Sequence, residues 1–243
     1  MNWLEPTLIY SHVFAGASVL LSGLVAMLTP KGGRGHRMAG QLYFWGMFWI
    51  FASAFLLISM VRFNIFLLVI GVFSFYLAFS GFRVLKRKLP GQQGWIDWGV
   101  AIFAITAGLG LLFYGLYMLI GPGRYSFIIY PIFCILFGFF TFNAARTDVR
   151  FFLNPELIST KQWWWYHHMQ AMLGSYIAAV TAFLVQGGAA FLPDWDMSWI
   201  FWLLPAAIGS PLISRWVNRY KRQFGNASDM VHISAFNKKR AGG

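Results

Sequence analysis

Histidines are the side chains of this 243-residue chain best suited to chemistry, and four of the five fall in or beside apolar stretches. His12 sits about two turns into the first such stretch. His36, followed by Arg37, stands in a glycine-rich loop. His167 and His168 follow the aromatic run Trp163-Trp164-Trp165-Tyr166 and open another apolar stretch. His232 lies near the basic end of the chain. Imidazole titrates near neutral pH and ligates metals through a neutral ring nitrogen. An ionisable group inside a bilayer is costly and needs a reason. Three reasons are common. Neutral imidazoles from facing helices hold heme iron. Three or four ligands hold zinc. A single imidazole handles a proton beside a quinone or substrate. The plain alternative is a histidine that only hydrogen-bonds a neighbour or meets lipid headgroups. Successive helical residues differ by about 100° in direction, so His167 and His168 do not share one ligand position.

The elements that must carry these residues are membrane helices. Of the residues, 58% are hydrophobic and 11% charged, whereas soluble domains carry about 25% charged residues. A run of about 20 apolar residues crosses the hydrocarbon core. Seven such windows occur, at 6–29, 41–61, 63–83, 96–120, 126–145, 162–186 and 198–217. The alternation of a membrane β-barrel is absent. The expected fold is therefore all-α, a polytopic seven-transmembrane-helix bundle over 1–217, followed by a basic tail over 218–243. The N-terminus lacks a basic leader region, so the first helix is expected to be retained.

Within that bundle, Ala171, Gly174, Ala178 and Ala182 give the sixth helix a small face, suited to close helix approach. Helix 1 presents His12, Ala15, Gly16, Val19, Ser22, Gly23 and Ala26 on one face. Glu5 lies two turns before His12 on the same side. Thr106, Tyr114, Tyr117 and Asn143 are candidates to line a modest polar cavity. Arg62 and Asn64 mark a tight hairpin between helices 2 and 3. Pro205, Gly209 and Pro211 predict a kinked seventh helix, and the tail is expected to be flexible at its end.

Charge sets the expected orientation. The first, third and fifth loops, with the tail and Arg215 before it, hold 17 of the 19 Lys and Arg residues. Only Arg62 and Arg124 lie on the other side. Basic residues favour the cytoplasm, so the N-terminus is expected outside and the C-terminus inside, in a bacterial cytoplasmic (inner) membrane. The net charge of +12 then reads as helix anchoring and attraction to anionic lipid, and nucleic acid is not an expected partner. On this topology His167 and His168 lie ~8–10 Å deep from the cytoplasmic side, with His36 at the same surface and His12 in the outer third. A cytoplasmic-side cluster of His36, His167 and His168, with Arg37 beside it, is expected.

Several functions are disfavoured. Cys134 is the sole cysteine, which rules out an intrachain disulfide and a cysteine-held iron–sulfur cluster. Asp97, Asp148, Glu156 and the other acidic residues are placed in loops or at helix ends. No deep carboxylate relay is therefore expected, and no lysine lies mid-helix in the seventh span to hold retinal.

His12-Val13-Phe14-Ala15-Gly16, then His36-Arg37-Met38-Ala39-Gly40-Gln41-Leu42-Tyr43, form an H-x-x-x-G segment and an H-R-x-x-G-x-x-Y segment. This arrangement resembles a family of uncharacterised bacterial multi-pass membrane proteins. It is also distantly similar to cytochrome b561 and ferric-reductase-type bundles. The first likeness implies topology alone. The second implies transmembrane electron transfer through bis-histidine heme.

The residues thus point to a heme- or quinone-linked electron-transfer role, with heme b as the cofactor. His12, His36, Arg37, His167 and His168 are the candidate cofactor-binding residues, and His167 or His168 the ligand to heme iron or zinc. Two alternatives stand beside it. One is a zinc-dependent membrane hydrolase resembling ceramidases, at the cytoplasmic face. The other is a non-catalytic protein that binds or transports a lipid, quinone or small molecule and holds neither heme nor zinc.

Overall fold

The computed structural model describes residues 3–60, 65–89, 91–121, 129–158, 162–191 and 200–241. Seven α-helices account for nearly all of them: α1 (Leu4–Leu28), α2 (Arg34–Met60), α3 (Ile65–Arg83), α4 (Trp95–Ile120), α5 (Ile129–Leu153), α6 (Trp163–Phe191) and α7 (Ile200–Ala241). Short 3-10 turns follow α3 at Val84–Lys86 and α5 at Pro155–Leu157. There is no strand among the described residues. All seven helices contain a segment long and apolar enough to cross a membrane, which is the helical solution a bilayer imposes on backbone polar groups. The hairpin at Arg62 and Asn64 lies outside the described residues.

Helix α3 is the centre of the bundle. It packs against α2, α4, α5 and α6, and 56% of its span is buried, against 6% for α7. Apolar side chains gain little by leaving lipid for protein, so close contact and polar pairing hold such helices together. The tightest crossing is α4 on α5. A Cβ added at Gly138 would sit 2.7 Å from the Gly108 carbonyl oxygen, and one at Gly108 would sit 2.8 Å from the Phe142 nitrogen. The α6 face expected to be small does pack inward: Ala171 and Ala178 are buried. On α1, Ala15, Val19, Ser22 and Gly23 are buried on the expected face.

Three helix boundaries differ from the sequence reading, each through charge. Helix α2 begins at Arg34 rather than near 41, so His36 and Arg37 lie in its first turn, not in a loop. Helix α5 runs to Leu153 rather than 145. It thereby carries Asp148 as a buried helical residue instead of a loop one. Helix α7 continues through the basic segment to Ala241, where a flexible end is expected from composition. Hydropathy windows stop where charged residues begin, but backbone hydrogen bonding does not. A helix with a polar last turn can extend past the hydrocarbon layer, or bury that turn against a partner of opposite charge.

Candidate functional site

The last turn of α1 and the first turn of α2 are tied together by side chains. His36 Nδ1 lies 2.9 Å from the Ala26 carbonyl oxygen. Lys31 Nζ reaches the Ala26 and Met27 carbonyl oxygens at 3.1 and 2.6 Å. These carbonyls have no partner within α1, and cations or N–H donors satisfy them well. Partial burial lowers the Lys31 pKa from its ordinary value. In the second turn of α6, His168 Nδ1 lies 2.7 Å from the Gly81 carbonyl oxygen of α3. The helices come close there: a Cβ on Gly81 would stand 3.0 Å from the Ala171 Cβ.

A carbonyl oxygen only accepts, so both Nδ1 atoms carry the proton. In the neutral rings each Nε2 then presents a lone pair, and neither Nε2 has a hydrogen-bond partner among the described residues. The two rings stand nearly perpendicular, at 81°, with centroids 6.3 Å apart. Both line a cavity of about 790 Å³ between α1, α2, α6 and α7, within the ~300–1,000 Å³ range of small-molecule and cofactor sites. Its walls are Met169, Met172, Trp164, Trp165, Trp216 and other largely apolar side chains. Lys31, Arg37, Lys88 and Arg219 add four cations, and no acidic side chain among the described residues lines it. Tyr43, hydrogen-bonded to Ser175 of α6, closes part of the wall.

His167 points elsewhere, into a largely buried polar cluster between α3, α4, α5 and α6. Asp148 is its centre. The carboxylate accepts from Tyr76 Oη at 2.8 Å and Ser80 Oγ at 2.5 Å. Arg87 Nη2 lies 3.4 Å away and His167 Nε2 3.3 Å away. Ser80 has one proton. With that proton donated to Asp148 Oδ2, Ser80 accepts from His167 Nε2–H at 2.7 Å. His167 is therefore held with its proton on Nε2, the opposite tautomer from its neighbour His168. Serine and aspartate meet the same ring nitrogen, so this is not the relay of a nucleophilic triad, in which the two partners take opposite nitrogens.

Asp97, the third residue of α4, extends the cluster. It takes Arg83 in a fork at 2.9 and 2.6 Å and accepts the Gly94 N–H. Arg87 Nε stands 3.9 Å from its other side. The Arg87 guanidinium lies over the Phe152 ring at 4.6 Å. Its Nε and Nη1 are buried without hydrogen-bond partners.

The structure thus brings His36, Arg37 and His168 to one cavity and places His167 behind it. The expected three-histidine cluster is instead a pair with a third ring turned away. His12 is not near them. Fourteen residues of α1 separate it from Ala26, about 20 Å along the helix. Its Nδ1 lies 2.8 Å from Ser53 Oγ, which itself donates to the Trp49 carbonyl oxygen at 2.6 Å. Glu5 is exposed and is not the partner of His12. Of the residues expected to line a polar cavity around helix 4, Thr106 and Asn143 bond back to their own helices, and Tyr117 is exposed. Asp97 and Asp148 lie near helix ends, as expected, but both are buried in protein, at 2% and 3% exposed, which the sequence reading did not anticipate.

The sequence reading missed Tyr76, Ser80, Arg83 and Arg87 as a polar set. A signal was available: spaced by four, three and four residues, they continue one face of α3 into the turn that follows it. Comparison with known proteins returns no match to this chain, whether among family models, curated proteins or solved structures.

Proposed function

We propose that this chain is a heme-linked electron-transfer protein of the bacterial cytoplasmic membrane, with the N-terminus outside, the tail in the cytoplasm, and His36 and His168 as the residues that would hold the heme iron. The carrying observation is the matched state of the two rings. Each is anchored through Nδ1–H to a backbone carbonyl, the arrangement that fixes the tautomer and orientation of metal-ligating histidines. Two imidazoles that would ligate one metal, each through a nitrogen about 2 Å from it, can have ring centroids up to about 6 Å apart. The observed separation is 6.3 Å.

The donor set favours heme over zinc. Zinc takes three or four protein ligands, or three and a water. Among the described residues no three His, Cys, Asp or Glu side chains gather in a metal-binding group. Heme iron takes its other four ligands from the macrocycle and asks the protein for one or two. Bound heme supplies one-electron redox chemistry. The chain's own part is to fix the ring nitrogens, exclude water with Met and Trp side chains, and provide a low-dielectric shell. His12, at the far end of α1, plays no part in this pair. Its side chain suits contact with a membrane quinone as the electron partner.

Purification in mild detergent, followed by absorption spectra with and without dithionite, tests the proposal. A Soret band that shifts on reduction and is lost in His36→Ala and His168→Ala is the expected result. Colourless protein with stoichiometric zinc would instead support the hydrolase. Colourless, metal-free protein would support a lipid- or small-molecule-binding role.

A further inference from the structure

We infer that Arg37 and Arg219 bind the carboxylates of a diacid in the cavity, namely the two propionates of heme, an inference that rests on the heme reading above. The four cations on the cavity wall are not equivalent. Lys31 spends its ammonium on the end carbonyls of α1. Lys88 places its ammonium 4.4 Å over the Trp164 ring. The guanidiniums of Arg37 and Arg219 have no hydrogen bond or ion pair with any described residue. They come from helices far apart in sequence, α2 and α7, yet they border one cavity. The guanidiniums of half-buried Arg83 and buried Arg87, by contrast, each face a carboxylate of this chain.

Two unpaired guanidinium forks match two carboxylates in number and in geometry, because a planar fork takes a carboxylate through paired N–H bonds. Position agrees as well. Arg37 adjoins His36 in the first turn of α2, and Arg219 follows Trp216 of the cavity wall by one turn. Both arginines are exposed, whereas the apolar wall and the two imidazoles lie further in. An amphiphile with an apolar body and an acidic edge is therefore received body first, its acids left at the charged rim. Lys31 and Lys88 add positive potential without making the bonds.

The test uses full-length apo-protein in neutral detergent, titrated with ferric heme and with heme dimethyl ester, whose carboxyls are blocked. The Soret band is the readout. The acid is expected to bind at least tenfold tighter than the ester. That gap is expected to close in the double variant Arg37→Gln/Arg219→Gln. Ester binding at wild-type strength in the same variant shows that it is folded. Equal binding of acid and ester by the wild type overturns the inference and leaves the histidine pair intact. A gap that survives in the double variant overturns the assignment to these two arginines. No protein-dependent shift of the Soret band with either ligand overturns the heme reading and this inference with it. A parallel assay adds phosphatidylglycerol. Its retention by wild type but not by the double variant, with no acid–ester gap, assigns the rim to a lipid headgroup and overturns the propionate role.

Discussion

Two polar regions sit back to back across α6, and they solve the problem of charge in a membrane in opposite ways. The largely buried cluster around Asp148 contains acids and bases in balance, two aspartates against Arg83 and Arg87, and their charged groups are directed at one another. Among the described residues, the cavity around His36 and His168 is open and basic, has no carboxylate on its wall, and leaves two ring nitrogens and two guanidiniums without partners. A balanced cluster is already satisfied and has little to offer a ligand. A cavity with unspent donors and lone pairs is incomplete until something enters it. His167 and His168 are adjacent in sequence, yet one belongs to each region.

The sharpest break in this comparison comes from that neighbouring pair. His168→Ala is expected to abolish heme binding, seen as complete loss of the Soret band. His167→Ala is expected to keep the band while lowering thermal stability in detergent. The reverse pattern would exchange the roles of the two regions. Next in size is Asp148→Ala, which leaves Arg87 buried with only the more distant Asp97, 3.9 Å from its Nε, as counter-charge. Removing one member of a buried ion pair costs about 3–5 kcal/mol, so a clear fall in midpoint is expected in a detergent-solubilised unfolding assay. Arg219→Gln, in the open region, is expected to leave that midpoint unchanged.

Gly138→Val probes the frame that holds the buried cluster. The added side chain would press on the Gly108 carbonyl across the α4–α5 crossing, and overpacking of this kind costs about 1–3 kcal/mol. Loss of stability with normal heme uptake is the expected outcome, because the crossing lies away from the cavity. Smallest is Tyr43→Phe, which removes the hydroxyl bonded to Ser175 at the cavity wall. A net loss of about 0.5–1.5 kcal/mol is expected, measured as a small shift in the same unfolding curve.

Much of the architecture follows from sequence alone. Seven apolar stretches of membrane-crossing length specify seven helices, because a bilayer allows an isolated segment few other ways to satisfy its backbone. The inward faces of α1 and α6 are readable from Ala15, Val19, Ala171 and Ala178, since small residues at helical spacing permit close approach. The distribution of Lys and Arg, and the placement of aromatic Trp163–Tyr166 ahead of two histidines, are likewise properties of one dimension. They mark His36, Arg37, His167 and His168 as unusual without reference to any contact.

What each of those residues does was decided by packing. A rotation of about 100° separates His167 from His168, and only the position of α3 determines which ring meets Gly81 and which meets Ser80. Asp148 and Arg87 read as loop residues, because single charges depress hydropathy wherever they occur. Their burial depends on arriving opposite each other from different helices. Desolvation is charged to each residue separately and is visible in sequence. The compensating attraction belongs to the pair, and it exists only once α3, α5 and α6 have come together.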